Sequence, residues 1–162
     1  MGDIPNWRMV CTFTIPGEPV PLARPRFTKT GVVYTDPKSN QWMRKVAFLA
    51  INAAARAGAV PKRLLPADAA VLLEVETVHK RPKNLFRKSD TGERAPKVSK
   101  PDLTNLIKGI EDGITLARCI WKDDNQVTDL RASKRWAKIE DRKSKTTEEP
   151  HTIVRVYTYD QP

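Results

Sequence analysis

At 162 residues the chain has the length of one domain, enough to bury roughly 70% of its unfolded-chain surface without disulfide or metal staples. A hydrophobic fraction of 40% and a charged fraction of 30% are those of a water-soluble globular protein, and the net charge of +10 points to a polyanionic partner. Nucleic acid is the first candidate and an anionic membrane surface the second. No apolar run approaches the ~20 residues of a membrane span, and Met1 to Arg8 lacks a signal-peptide pattern, so a cytoplasmic location is expected. With only His79 and His151 a histidine-rich metal centre is excluded, and Cys11 and Cys119 read as two buried thiols without metal-ligand spacing. Any metal would be held by oxygen, which favours magnesium, or manganese, over zinc.

Met9 to Ile15 alternates and is rich in β-formers, so it predicts a first strand ended by Pro16-Gly17. Glu18 to Arg26 is proline-rich and predicts an extended loop presenting Arg24 and Arg26. A small hairpin follows through Gly31 to Thr35. With Lys29 and Tyr34 it forms a basic and aromatic element suited to a phosphate backbone, unless it is a solvated surface hairpin. Asp36-Pro37-Lys38-Ser39 starts a helix that runs from about Lys38 to Ala57, buries Trp42, Val46, Leu49, Ala50 and Ala53, and stops at Gly58. Ala69 to His79 reads as a strand, with His79 a surface or strand-end residue.

The stretch Lys80 to Lys100 holds eight basic and two acidic side chains and little apolar periodicity. It predicts a long, mobile basic loop, either inert and solvated or an arm that guides nucleic acid. It leads into a helix marked by Leu103, Leu106, Ile107, Ile110, Ile114 and Ala117 at three- and four-residue steps. Asn105, Lys108 and Asp112 share its polar face. Gln126 to Arg131 alternates as a strand continuing to Ala137, Glu140 to Pro150 is a charged turn region without core residues, and Thr152 to Tyr159 is a last strand. The expected fold is one α+β domain, a mixed sheet of four to five strands with two main helices packed on it.

The chemistry concentrates between Asp102 and Asp124. Phosphodiester cleavage needs divalent cations, for which carboxylates from separate elements supply hard oxygen ligands. Asp102, at a helix start, and the Asp123-Asp124 pair, next to Trp121, have that character, and Lys108 can stabilise negative charge developing on a phosphate. Singly these signals are weak: an Asp at a helix start is commonly a cap. Jointly, in a basic chain, they point to a metal-dependent phosphodiester site.

Lys100-Pro101-Asp102-Leu103-Thr104-Asn105-Leu106-Ile107-Lys108, then Glu111-Asp112-Gly113, then Trp121-Lys122-Asp123-Asp124-Asn125-Gln126-Val127 resembles the RusA-type Holliday-junction resolvases. That family's pattern is K/R-P-D-x-D-N-L-x-K, a helical D-A/G-L and a downstream D-D-x-Q-V. Gly17 to Pro21 and Arg24 to Phe27 are similar to its proline- and arginine-rich opening. The resemblance implies a homodimeric, magnesium-dependent crossover junction endodeoxyribonuclease making paired symmetric nicks in four-way DNA, in a family common in phages and prophages. It implies that Asp102, Lys108 and Asp124 are catalytic, with Asp102, Asp123 and Asp124 on the metal. The basic residues Arg24, Arg26, Lys29, Lys80, Arg81, Lys83, Arg87, Lys88 and Lys100 are then the candidate DNA contacts. The second acid of the family's D-x-D falls on Thr104, which is neutral. Three outcomes are open: Asp123 or Asp112 completes the site, more metal is needed, or the protein binds junctions without cutting well.

Overall fold

The computed structural model describes residues 6–23, 26–27, 29–31, 33–34, 36–58 and 63–160. Strand β1 (Trp7–Pro16) turns Cys11, Phe13 and Ile15 inward at every second position. Strands β2 (Arg26–Phe27) and β3 (Val33–Tyr34) pair antiparallel as the expected hairpin. Helix α1 (Pro37–Arg56) starts where the Asp36 side chain accepts from the Lys38 and Ser39 backbone N–H groups at 3.1 and 3.3 Å, with Pro37 in the first turn. It ends at Gly58, whose φ of +91° a side chain would resist.

Strand β4 (Val71–His79) is the centre of the sheet and is buried at most positions. After it come β5 (Ala95–Pro96), α2 (Leu103–Ala117), β6 (Val127–Trp136), β7 (Ile139–Asp141), β8 (Thr146–Thr147) and β9 (His151–Tyr159). The main sheet has the order β1-β9-β4-β6-β5, with β4 and β6 parallel and the other neighbours antiparallel. The parallel pair needs a crossover, and α2 lies in it. Leu73 and Val75 of β4, Val154 and Val156 of β9 and the inward face of β1 meet the buried stripes of both helices in one core. On the other face Glu74 pairs with Arg155 at 2.5 Å, and Arg94 bridges Glu76 and Glu148. The expected α+β domain is the one observed.

The two helices meet through glycine. A Cβ on Gly113 would lie 2.6 Å from Val46 Cβ and 3.0 Å from the Met43 carbonyl oxygen, so only hydrogen fits there. Gly109, one turn earlier, has ordinary space of 3.6 Å to Trp42.

Three expectations change. His79 is a strand-end residue but not a surface one. Its ring is buried, with Nδ1 2.7 Å from Glu18 Oε1, while Glu18 Oε2 accepts from the Lys80 N–H at 3.0 Å. Burial opposes ionisation of Glu18, but these bonds still hold its carboxyl below the ordinary value. Lys80 to Lys100 is not featureless: it forms a 3₁₀ turn at Lys83–Leu85 and strand β5. Within it Arg81 is buried and donates to the carbonyls of Ala137, Leu85 and Glu93. Glu140 to Pro150, read as turns alone, contains the outer part of the β7–β8 hairpin, anchored by buried Ile139.

Candidate active site

Asp102 occupies the N-cap position of α2 in extended conformation, yet its side chain makes no hydrogen bond to the helix. An N-cap aspartate normally accepts from one of the free N–H groups of the first turn. Here the carboxylate is exposed and left for another partner. The loop that presents it is clamped from beneath by two lysines. Lys134 Nζ, from β6, donates to the Ser99 and Pro101 carbonyl oxygens, both at 2.6 Å. Lys97 Nζ donates to Ser99 Oγ at 2.8 Å and to the Lys100 carbonyl, and sits 4.3 Å from the centre of the Trp136 ring. Burial, and then the adjacent Lys134 ammonium, pull the Lys97 pKa down.

One turn and a half into α2, Lys108 Nζ lies 3.0 Å from Asp112 Oδ1 and 2.5 Å from Asp124 Oδ2. The hydrogen bond from Lys108 holds the Asp124 carboxyl below its usual range, and the same bond raises the Lys108 pKa. Both groups are charged at neutral pH. Glu111, half-buried on the same helix, behaves in the opposite way. Burial pushes its carboxyl up, Lys108 opposes this, and the charges of Asp124 and Asp112 add to it.

Asp124 is presented by a short 3₁₀ turn, Asp124–Gln126, and the two aspartates of the pair do different work. Asp123 Oδ1 accepts from the Asn125 N–H at 3.0 Å as the cap of the turn, while Asp124 reaches Lys108. Gln126 closes the capping box. Its Oε1 accepts from the N–H of the N-cap residue Asp123 at 3.4 Å and from that of Lys122 at 2.7 Å, and its Nε2 donates to the carbonyls of Pro66 and Ala69 at 2.9 and 3.1 Å. Gln126 thus ties the Asp124 turn to the chain entering β4.

Thr104 is exposed in the first turn of α2. The proline-rich loop lies against the same helix, since the Leu22 N–H donates to the Asn105 carbonyl at 2.9 Å. Of the candidate DNA contacts, Lys29, Lys80, Lys83, Arg87, Lys88 and Lys100 are exposed. Arg81 has a fold role instead, for the reason given above. Arg24 lies outside the described residues, as does the side chain of Arg26.

The endodeoxyribonuclease RusA family model matches residues 16–157, nearly the whole of this arrangement. The chain belongs to the RusA endodeoxyribonuclease family. It is also 31% identical over 129 residues to the uncharacterized protein YqaN of Bacillus subtilis (strain 168), an alignment spanning 75% of this chain and 84% of that one. Within this RusA-family chain, sequence reasoning singled out Asp102, Lys108, Asp112, Asp123 and Asp124, and gave no individual role to four others. Gln126 was legible as the last residue of an Asp123-x-x-Gln126 capping box. Glu111 and Lys134 had no local signal, because their roles depend on tertiary neighbours, and Lys97, though bonded to nearby Ser99 and Lys100, looks like a solvent charge until Trp136 lies beside it.

Among the described residues no three His, Cys, Asp or Glu side chains gather closely enough to hold a metal ion by themselves. Magnesium typically takes one or two carboxylates and completes its shell with water and substrate phosphate. The donor chemistry of Asp102 and Asp124 fits that ion.

Proposed function

We propose that this protein is a magnesium-dependent, structure-selective endonuclease that resolves four-way DNA junctions by paired symmetric nicks. The observation that supports it most is the meeting of Lys108 with Asp124 and Asp112, on the helix whose N-cap residue, Asp102, does not spend its carboxylate on that helix. Asp102 and Asp124 would hold the cation together with a DNA phosphate, and Asp123 assists by shaping the turn that presents Asp124. The bound ion would supply Lewis-acid polarisation of the phosphate and a more acidic water. Lys108 places a permanent positive charge next to these carboxylates, where it can balance the extra negative charge of the transition state. Manganese, with the same taste for oxygen ligands, is expected to substitute.

Two symmetric nicks require two equivalent centres related by a two-fold axis, so the acting species is a homodimer. Exposed lysines and arginines of the 80–100 segment, with Lys29 and the Arg24–Arg26 loop, would neutralise backbone phosphates. No helix among the described residues is long and apolar enough to cross a membrane.

A second reading has one specific observation behind it: the exposed Thr104 where the family pattern has an acid. In that reading the protein binds junctions but cuts them weakly. A junction labelled in turn on each strand, incubated with magnesium or with chelator, tests both. Magnesium-dependent nicks at symmetry-related positions support the nuclease. Tight, salt-sensitive binding without cleavage at any magnesium or manganese concentration, reversed by Thr104→Asp, would establish the second reading.

A further inference from the structure

At the far end of α2 from Asp102 lies a cleft of about 420 Å³ lined by Arg63, Thr115, Arg118, Trp121 and Lys122. Its composition is unlike that of its neighbours. The cleft on the outer sheet face sets Arg131 and Arg155 against Glu74 and Glu76, and the one at the end of β9 sets Arg8 against Asp68 and Asp160. Among the described residues its lining has three cationic side chains and no carboxylate. Among the described residues none of the three makes an ion pair, and all three are exposed.

The floor is polar and fixed. Trp121 is fully buried and its Nε1–H donates to Thr115 Oγ1 at 2.8 Å. That bond uses a lone pair of the hydroxyl and leaves the hydroxyl proton to be donated. Arg118 is placed at the rim by the left-handed turn that ends α2, with φ of +56°. A solvated set of charges offsetting the helix dipole is the plain alternative. The C-terminal end of a helix carries only about half a negative charge, however, which balances part of one cation and not three.

We infer that Arg63, Arg118 and Lys122, over the Thr115 hydroxyl, form a subsite for a backbone phosphate of the DNA that is cut at Asp124. This rests on the reading of the chain as a DNA endonuclease. Position favours that ligand. Lys122 immediately precedes the Asp123-Asp124 turn, so the cleft adjoins the element that presents Asp124.

The test is equilibrium binding of a four-way junction in chelator, so that nothing is cut, across a salt series. The triple variant Arg63→Gln, Arg118→Asn, Lys122→Gln is compared with wild type, asparagine being chosen because it tolerates the left-handed backbone. A second triple, Arg44→Gln, Arg56→Gln, Lys143→Gln, removes the same charge from elsewhere on the surface. A third, Arg63→Lys, Arg118→Lys, Lys122→Arg, keeps the charge. The subsite variant is expected to bind about 10- to 100-fold more weakly, with the salt slope reduced by about 1. The charge-conserving variant should stay near wild type. If the subsite variant matches the remote control, the pocket is overturned while the nuclease reading stands. If wild type itself shows no salt-dependent binding to DNA, the nuclease reading fails and the subsite fails with it.

Discussion

Lys108 is the residue on which the proposed chemistry turns. Its ammonium, between Asp112 and Asp124, acts as an internal counter-ion for carboxylates that would otherwise repel each other. Removing it by Lys108→Met should let the Asp124 carboxyl rise toward the ordinary aspartate range, which carboxyl NMR titration of the metal-free protein would show. The same change should lower cleavage by about 10²–10³-fold, the usual cost of losing one donor aimed at transition-state charge. The pH sign follows from the depressed Asp124 value. Its stabilising contribution is complete above about pH 4, the unfolded value, and is lost as pH falls through the lower folded value. Acid unfolding of Lys108→Met should therefore lack that part of the pH dependence. The sequence made these residues visible because each has a charge and a helical or turn position that can be read locally. It could not show that Asp102 leaves its cap unmade or that Asp123 makes one. An aspartate at a helix start is compatible with either state, and the choice is set by how the preceding loop is held.

The elements are joined at a few points, and two of them give sharp expectations. At the α1–α2 crossing, Gly113→Ala inserts a methyl 2.6 Å from Val46 Cβ. Overpacking costs about 1–3 kcal/mol, and helix propensity returns up to about 1, so a net loss of about 1–2 kcal/mol is expected. That corresponds to a melting temperature lower by about 2–8 °C. Gly109→Ala meets nothing closer than 3.6 Å and should raise it by about 1–3 °C through propensity alone. Equal shifts from the two would contradict the packing. At the other junction, Lys134 holds the loop before Asp102 through the Ser99 and Pro101 carbonyls. Lys134→Met should reduce the single-turnover cleavage rate about 10- to 100-fold with junction affinity little changed, and Lys134→Arg should restore part of it. A parallel loss of affinity and rate would instead mark Lys134 as a DNA contact. The strands and helices themselves were largely legible. The alternation of Cys11, Phe13 and Ile15 and the stripe of Leu106, Ile107, Ile110 and Ile114 reappear as core. The 80–100 segment was not, because Arg81 and Arg94 look like solvent charges until Ala137 after β6, Glu76 of β4 and Glu148 after β8 supply their partners, and Lys97 until the Trp136 ring of β6 lies beside it.

At the scale of the whole molecule, a net charge of +10 surrounds a small acidic centre. In the proposed function the positive surface would draw the DNA and set how steeply binding falls with salt, whereas Asp102 and Asp124 would meet only the phosphate that is to be broken. These two functions should therefore separate on mutation. The most direct measurement is single-turnover cleavage of a synthetic four-way junction in magnesium by wild type, Asp102→Asn and Asp124→Asn, with junction binding measured alongside in chelator. The expected result is paired nicking by wild type and its loss in both variants, with affinity kept or slightly increased as negative charge is removed. Undiminished nicking by either variant, or no nicking by wild type, would contradict a cleaving centre built on Asp102, Lys108 and Asp124.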